Sequence, residues 1–370
     1  MSGNINIFGA PGRYIQGAGA LDGLGGYVKP LGGKVFVTGG RTGMLETRAG
    51  REKSFQSHGI RQVEEPFYGE TNDAEIERLT RIAKTSGCDV ILASGGGKSI
   101  DAVKAAAEFL GIPAVVVPTI ASNDAPCSAL SVIHNEDGSF NRLMPLKNSP
   151  ALVLVDTGII ARSPVRQLVS GMGDALATWF EADACYKSGA LNNFSGHISI
   201  TAMALARLCL DTLLEYGREA KRSCELQIVT PALEKVVEAN ILLSGLGFES
   251  GGVAAAHALS ESFSLIPAMR GHTHGEMVAF GLLVHMILEG RPEEMIREIV
   301  SFCADVGLPV TLAQLGCPVS TDELNAAARD AAAPGKPTHN IRAGITAGEI
   351  FEAIIKADAV GSTPIFHQVN

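Results

Sequence analysis

The sequence lacks the features of several classes of protein. It has 30 Lys and Arg against 39 Asp and Glu, and this acidic balance argues against a nucleic acid or an anionic membrane as partner. No apolar run is long enough to span a bilayer, and no basic segment precedes an apolar one near residue 1. The seven cysteines include no Cys-x-x-Cys pair, a usage typical of reduced thiols. We therefore expect a cytoplasmic protein.

Aromatic residues are also few, at 5%, and charged residues make up 19% of the chain, whereas 46% of the residues are hydrophobic and 42 are glycine. This composition is typical of a compact α/β or α-rich protein rather than a disordered one. A chain of 370 residues is long for a single hydrophobic core and suits two domains. No internal repeat or low-complexity segment is present.

Two common phosphate-binding motifs are missing. The chain has no Gly-x-Gly-x-x-Gly sequence, and Leu92 stands where a Walker A motif would need its first glycine. Instead, the apolar, β-rich residues 89–94 end in three glycines and open into a helical pattern at Lys98. Glycines let the backbone approach an anion closely, and a helix N-terminus favours negative charge. The stretch predicts a nucleotide-type diphosphate site; the alternative is a tight strand-to-helix turn.

The organisation of the chain changes near residue 160. Before it, short β-branched runs alternate with helical patterns, which predicts a parallel sheet covered by helices. The predicted strands are 34–38, 63–66, 89–94, 114–118 and 151–156, and the predicted helices lie near 42–57, 73–86 and 98–110. After it, amphipathic helical patterns dominate, at 173–187, 192–216, 232–248, 253–263, 275–289 and 292–306. Because proline starts helices well, we place the boundary at Ser163-Pro164, between an α/β domain (1–162) and a helical domain (163–370).

Three potential metal ligands stand among small or apolar residues of the helical half. Asp174 lies in Gly-Met-Gly-Asp-Ala-Leu, His257 follows three alanines, and His274 precedes Gly275. A carboxylate with two imidazoles suits Zn²⁺ with an open fourth position, or Fe²⁺. Each residue also has a simpler interpretation: Asp174 as the N-cap of a helix that begins beside it, His257 as a hydrogen-bonded core histidine, and His274 as a surface residue. Sequence spacing alone does not decide between these interpretations.

Four segments together resemble the glycerol dehydrogenases of the iron-containing (group III) alcohol dehydrogenase family. They are Gly95-Gly-Gly-Lys98, residues 118–132 (Pro-Thr-Ile-Ala-Ser-Asn-Asp-Ala-Pro-Cys-Ser-Ala-Leu-Ser-Val), residues 171–178 (Gly-Met-Gly-Asp-Ala-Leu-Ala-Thr) and residues 274–281 (His-Gly-Glu-Met-Val-Ala-Phe-Gly). The similarity covers nearly the whole chain. It implies a Rossmann-like N-terminal α/β domain with a parallel sheet, followed by an all-helical C-terminal domain, as in the dehydroquinate synthase-like fold of that family.

The resemblance also implies roles for individual residues. Asp174, His257 and His274 would bind one divalent metal, usually zinc and in several relatives iron. Asp124 would join these three ligands as a catalytic residue and, with Phe248, would contact the substrate. The residues that would line the dinucleotide are Gly95, Gly96, Gly97, Lys98, Ser99, Asp101, Thr119, Ser122, Ser128, Leu130 and His134, the last in place of a common tyrosine. Without the resemblance, Asp124 is better interpreted as a turn-forming residue.

The function that the resemblance implies is metal-dependent oxidation of glycerol, or of a related vicinal diol, at the secondary hydroxyl to dihydroxyacetone, with hydride transfer to NAD. It further implies a homo-oligomer, often an octamer. Two other activities stay open: a 2-oxoacid reductase or hydroxycarboxylate dehydrogenase, and a dehydroquinate synthase-like lyase. A two-histidine-one-carboxylate iron oxygenase is an alternative of another class, but such an enzyme has no need of a diphosphate site.

Two positions leave questions that the family does not answer. Members that use NAD commonly carry an acidic residue just after the second strand, whereas here Gly39-Gly40-Arg41 follows Thr38. In dinucleotide-binding folds an acid at this place binds the ribose, and an arginine accommodates a 2′-phosphate. NADP is therefore the alternative cofactor, unless Arg41 faces solvent and NAD binds through the backbone. His272, two residues before His274, has a role that stays open.

Overall fold

The computed structural model describes residues 5–316 and 320–363. Its strands are β1 (Tyr14–Gly17), β2 (Lys34–Gly39), β3 (Arg61–Pro66), β4 (Val90–Gly95), β5 (Ala114–Pro118), β6 (Leu130–His134), β7 (Phe140–Pro145) and β8 (Leu152–Asp156). Its helices are α1 (Leu24–Val28), α2 (Arg41–Ser57), α3 (Asp73–Thr85), α4 (Gly97–Leu110), α5 (Thr157–Ala161), α6 (Val165–Ser188), α7 (Ile200–Glu225), α8 (Pro231–Glu238), α9 (Ser244–Gly251), α10 (Ala255–Ser264), α11 (His274–Glu289), α12 (Glu293–Val306), α13 (Thr321–Ala331) and α14 (Ala347–Gly361). Short 3₁₀ helices span Ala20–Gly23, Pro267–Met269, Ala313–Leu315 and Pro337–Asn340, and a π-helical turn spans Ala239–Leu243.

Six strands form a parallel sheet in the order β1-β8-β5-β4-β2-β3. Val35, Phe36 and Val37 of β2 are fully buried, and such continuous apolar runs are typical of strands covered on both faces. The strand order reverses between β2 and β4, because β3 lies on one side of β2 and the later strands follow on the other. The carboxyl ends of the strands at such a reversal are the usual place for a ligand in open α/β sheets.

The predicted sheet is confirmed. Every predicted strand is present, with both ends within two residues of the prediction. Strand β1 and the antiparallel pair of β6 and β7 are additional. The residues of β1 are only half-buried, and those of β7 are half-buried or exposed, so neither strand has the apolar run on which the prediction depended.

Most predicted helices are also confirmed, but three are displaced or interrupted. The helix predicted from residue 173 begins at Val165, and the one predicted over 192–216 runs from Ile200 to Glu225. Residues before Ile200 form a turn instead, because the Asn192 side chain accepts backbone N–H groups from Phe194 and Gly196. The helix predicted over 232–248 is interrupted by the π-helical turn.

The chain forms two compact units. One, here called the sheet unit, comprises Gly9–Leu168 and Glu219–Leu246. The other, here called the helical unit, comprises residues 5–8, Val169–Arg218 and the described residues from Gly247 onward. The predicted domain boundary between residues 162 and 163 stays a prediction, because compact units need not be separately folding domains. Within the described ranges, no helix has the length and apolar character needed to cross a membrane.

Candidate metal centre and nucleotide loop

Three side chains converge in the helical unit. Asp174 comes from α6, His257 from α10 and His274 from the first residue of α11. Their ligand atoms lie within 4.8 Å of one another. The Nε2 atoms of His257 and His274 are 3.3 and 3.4 Å from Oδ1 of Asp174. The fold therefore brings together the three potential ligands that the sequence separates widely.

Asp174 does not cap a helix. The N-cap interpretation is wrong because α6 begins at Val165, so Asp174 lies inside the helix with a side chain that is 1% exposed. The neighbouring Gly173 has a different purpose: a Cβ atom there would lie 2.3 Å from the backbone oxygen of Gly275 on α11. A Cβ atom at Gly275 would lie 1.7 Å from the backbone oxygen of Ser170. The two helices thus touch backbone to backbone beside both Asp174 and His274.

His274 is held at the start of α11 by a capping box. The Thr273 hydroxyl accepts the backbone N–H of Glu276 at 3.3 Å, and the Glu276 carboxylate accepts the backbone N–H of Thr273 at 2.9 Å. This reciprocal pair fixes where a helix begins. The Nδ1 atom of His274 lies 3.1 Å from the Ser260 hydroxyl. The capping box and the Ser260 hydroxyl together hold the imidazole so that Nε2 lies on the side of Asp174.

Glu181 is a functional candidate that sequence reasoning missed. It is fully buried, and its Oε2 lies 2.5 Å from Nδ1 of His257. Its Oε1 accepts the backbone N–H groups of Ala254 at 2.9 Å and of His257 at 3.0 Å. A carboxylate can only accept here, so Nδ1 carries a proton and Nε2 is the nitrogen that can give up its proton to bind a metal. The spacing could have suggested this residue, since Glu181 follows Asp174 by about two helical turns and shares its face.

The electrostatics of the cluster favour a cation. Burial alone would raise the pKa of Asp174, but the charges of His274 and His257 hold that pKa below its usual value. Burial alone would lower the pKa of His257, but Glu181 and Asp174 raise that pKa well above its usual value. Two buried carboxylates therefore stabilise positive charge between them.

The hydrogen bonding of Asp174 leads to the same conclusion. Neither of its buried carboxylate oxygens accepts a hydrogen bond from any residue that the structure describes, which is unusual for buried polar atoms. A divalent cation would satisfy them. The donor set of one carboxylate oxygen and two imidazole nitrogens fits such an ion.

In the sheet unit, the glycine loop joins β4 to α4. A Cβ atom at Gly95 would lie 2.7 Å from the Ser99 hydroxyl, one at Gly96 would lie 2.8 Å from Cδ1 of Ile120, and one at Gly97 would lie 2.6 Å from Nδ2 of Asn123. A side chain at any of the three positions would therefore require Ser99, Ile120 or Asn123 to move. The helix that follows has no side-chain cap from the described residues and no acidic residue in its first turn. A helix N-terminus with these properties, at the reversal of strand order, is suited to an anion.

The other predicted cofactor residues lie near this loop or on the segment from β5 to β6. Thr119 and Ser122, just after β5, are each 8% exposed. Leu130 and His134 are the first and last residues of β6. Lys98 contacts Glu70.

Two predicted cofactor residues have partners inside the sheet unit. The Oδ1 atom of Asp101 lies 2.9 Å from Nζ of Lys104, and its Oδ2 accepts the backbone N–H of Val132 at 3.2 Å. The Ser128 hydroxyl also accepts from the Lys104 ammonium, at 3.1 Å. In these contacts both side chains attach α4 to the segment around β6.

Asp124 has a partner that the sequence did not reveal. Its Oδ2 accepts a hydrogen bond from the Ser244 hydroxyl at 2.7 Å. Ser244 directly follows the π-helical turn, a distortion that occurs often at functional sites. Within the same turn, the Asn240 amide donates to the backbone oxygen of Ala121 at 3.0 Å. Sequence periodicity cannot show a π-helical turn, because its residues still follow a helical pattern.

Phe248, predicted to contact the substrate, and His272, whose role the sequence left open, both belong to the helical unit. Phe248 lies on α9 and is 7% exposed. His272 lies before α11 with Nδ1 3.1 Å from the Glu276 carboxylate, so it supports the capping box that places His274.

Comparison with known proteins agrees with this arrangement. Residues 11–157 match the family model described as iron-containing alcohol dehydrogenase. The chain is 47% identical to a glycerol dehydrogenase of Escherichia coli over 96% of this chain and 97% of that protein. It is 48% identical to a glycerol dehydrogenase of Thermotoga maritima, over 95% and 96% of the two chains. The crystal structure of glycerol dehydrogenase from Schizosaccharomyces pombe superposes with a TM-score of 0.92 at 37% identity, over 96% of this chain and 91% of that one.

The backbone contact between α6 and α11 gives a first prediction. We expect Gly275→Ala to weaken zinc binding by at least tenfold, because the new methyl group would force α11 away from Ser170 and move His274. The control is Gly271→Ala, since a Cβ atom at Gly271 meets no atom of the described residues within 4 Å. Zinc affinity is measured by competition with a coloured chelator, and circular dichroism checks the fold. Equal affinities for the two variants would contradict this account of the contact.

A second prediction concerns Glu181. In Glu181→Gln, the amide can donate to Nδ1 of His257 and thereby place the ring proton on Nε2, where a metal must bind. We expect zinc affinity to fall by about 10- to 100-fold, as for other residues that orient a metal-binding histidine. Glu215→Gln, at an exposed position on α7, serves as the control. Unchanged affinity in Glu181→Gln would show that Glu181 does not orient His257 for a metal.

Proposed function

The chain belongs to the iron-containing alcohol dehydrogenase family, and from this we propose that it oxidises glycerol, or a related vicinal diol, at the secondary hydroxyl to dihydroxyacetone, with hydride transfer to NAD. The observation that carries the proposal is the cluster of Asp174, His257 and His274, whose ligand atoms lie within 4.8 Å of one another. The near-full-length similarity to two glycerol dehydrogenases supports the choice of substrate.

We propose that the cluster binds Zn²⁺, with Fe²⁺ as the alternative, through one oxygen of Asp174 and the Nε2 atoms of the two histidines. A divalent cation there would lower the pKa of an alcohol hydroxyl, and NAD would accept the hydride. Glu181 keeps His257 in the tautomer that binds metal, and Ser260 orients His274. With these three side chains as its protein ligands, the metal would have a coordination position free for substrate, as in catalytic zinc sites.

For the dinucleotide, we propose that the backbone N–H groups at the start of α4 bind the diphosphate. The uncapped helix N-terminus and the three glycines support this role. Ser99, Lys98 and Asp101 would border the diphosphate. Thr119 and Ser122 would contact the adenosine side, and Ser128, Leu130 and His134 would lie nearer the nicotinamide.

Asp124 would bind a hydroxyl of the polyol. The hydrogen bond from Ser244 fixes the direction of its carboxylate, and a fixed acceptor discriminates strongly between substrates with and without a matching hydroxyl. Phe248 would wall the substrate pocket. In the overall reaction the alcohol loses a hydride to the nicotinamide and a proton to solvent. We also propose a homo-oligomer, with the octamer as the expected form.

The proposed function is tested by following NADH and NADPH formation at 340 nm with glycerol, propane-1,2-diol and 2-hydroxy acids. We expect the vicinal diols to be oxidised fastest and the activity to require metal. Asp174→Asn should be inactive while keeping its fold, because an open metal site contributes more to catalysis than to stability. Faster oxidation of 2-hydroxy acids would favour a hydroxycarboxylate dehydrogenase instead. Full activity in metal-free protein would contradict the proposal.

A prediction for substrate binding follows from the contact of Ser244 with Asp124. Ser244→Ala removes a hydrogen bond to a carboxylate, which is worth about 1.5–3 kcal/mol, so we expect kcat/KM for glycerol to fall by about tenfold or more. The dissociation constant of NADH should change little. Ser57→Ala is the matched control, since the Ser57 hydroxyl donates within its own helix, to the Lys53 oxygen. An unchanged kcat/KM in Ser244→Ala would contradict a substrate role for Asp124 held by Ser244.

A further inference from the structure

The residues after β2 border the glycine loop. Strands β2 and β4 are neighbours, with Thr38 paired to Ala93, so their carboxyl ends lie side by side. A Cβ atom at Gly95 would lie 3.3 Å from the backbone nitrogen of Gly40. Because the diphosphate binds at the end of one strand at a reversal of strand order, the end of the adjacent strand is where the adenosine ribose is recognised. In this protein that place is Gly39-Gly40-Arg41.

Neither the backbone conformation nor the packing at residue 40 requires a glycine. Its φ and ψ are −63° and 151°, an extended conformation open to any residue, and a Cβ atom there would meet no described atom within 4 Å. Gly39 differs, because a Cβ atom at Gly39 would lie 1.8 Å from the Ser94 oxygen. Gly40 is also the N-cap of α2, where Asp, Asn or Ser would add stability. An aspartate would fit there and would strengthen the helix, so neither packing nor helix stability accounts for the glycine.

The surroundings of Gly40 favour negative charge in the ligand. The first turn of α2 contains no acidic residue, and no described side chain caps α2. Arg41, the first residue of α2, is exposed, and within the described residues its side chain has no ion pair or hydrogen bond. The carboxylates at the end of β3 are already paired: Glu64 with Arg51, and Glu65 with Arg78 at 3.5 Å. An arginine in the first turn of a helix whose N-terminus has no side-chain cap is suited to a phosphate dianion.

We propose that the turn at Gly40 and Arg41 is a subsite for the 2′-phosphate of NADP(H), and that the protein binds NADPH at least as tightly as NADH. The inference rests on the proposed dinucleotide site and defines its cofactor class. In this subsite Gly40 leaves room for the phosphate, Arg41 supplies the opposite charge, and the first N–H groups of α2 donate hydrogen bonds. An aspartate at residue 40 would instead accept from a ribose hydroxyl and repel the phosphate.

The test is a binding measurement on the metal-loaded protein, with NADH and NADPH as probes and their fluorescence as the readout. For the wild type we expect a Kd for NADPH no higher than that for NADH. Gly40→Asp should raise the ratio of the NADPH Kd to the NADH Kd by about 10- to 100-fold, because a hydrogen bond to a charged group changes affinity by about that factor. The matched control is Gly40→Asn, which adds a cap of the same size without charge and should change the ratio by less than about threefold. Arg41→Ala should raise the ratio by about tenfold.

The outcomes separate this inference from the proposed function. If the wild type binds NADH tightly and NADPH at least tenfold more weakly, the 2′-phosphate subsite is wrong and the proposed function stands. If Gly40→Asp and Gly40→Asn change the ratio equally, the effect is one of size and the charge argument is overturned. If neither dinucleotide binds, the dinucleotide site itself is wrong, and the proposed function with it.

Discussion

The candidate metal centre depends on one close contact, the crossing of α6 and α11 at Gly173 and Gly275. A side chain at either glycine would collide with the backbone of the opposite helix, so the two helices approach closely only because both positions lack a Cβ atom. Asp174 and His274 are the residues that follow Gly173 and precede Gly275. Close packing of the two backbones therefore determines how far apart a carboxylate and an imidazole are held.

The third ligand depends on a buried charge. The carboxylate of Glu181 binds both the ring and the backbone N–H of His257, and so joins α6 to the start of α10. Leaving such a carboxylate buried is costly unless it is fully hydrogen-bonded and close to positive charge. Three hydrogen bonds and the nearby imidazole meet that condition. The same group thus stabilises the helix start and sets the tautomer of a ligand, and a metal would neutralise the remaining charge of Asp174.

Much of the sheet, and the members of the candidate metal centre, could be predicted from the sequence. The central strands are continuous apolar runs, and Asp174, His257 and His274 stand out because ligand side chains are uncommon among small apolar residues. Their convergence could not be derived from spacing, because it depends on how helices cross. The sequence predicted a helix beginning at residue 173, with Asp174 as a possible N-cap, whereas Gly173 lies inside α6 and permits its close contact with α11. Contacts between residues far apart in the chain, such as that of Ser244 with Asp124, cannot be predicted from a periodic pattern in the sequence.

We propose above that Asp174, His257 and His274 bind one catalytic divalent cation. The most direct test is a crystal structure of catalytically active protein, with diffraction measured on both sides of the zinc and iron absorption edges. We expect a single strong anomalous peak about 2.0–2.2 Å from an oxygen of Asp174 and from the Nε2 atoms of both histidines. Fully active crystals with no peak at these three side chains would contradict it.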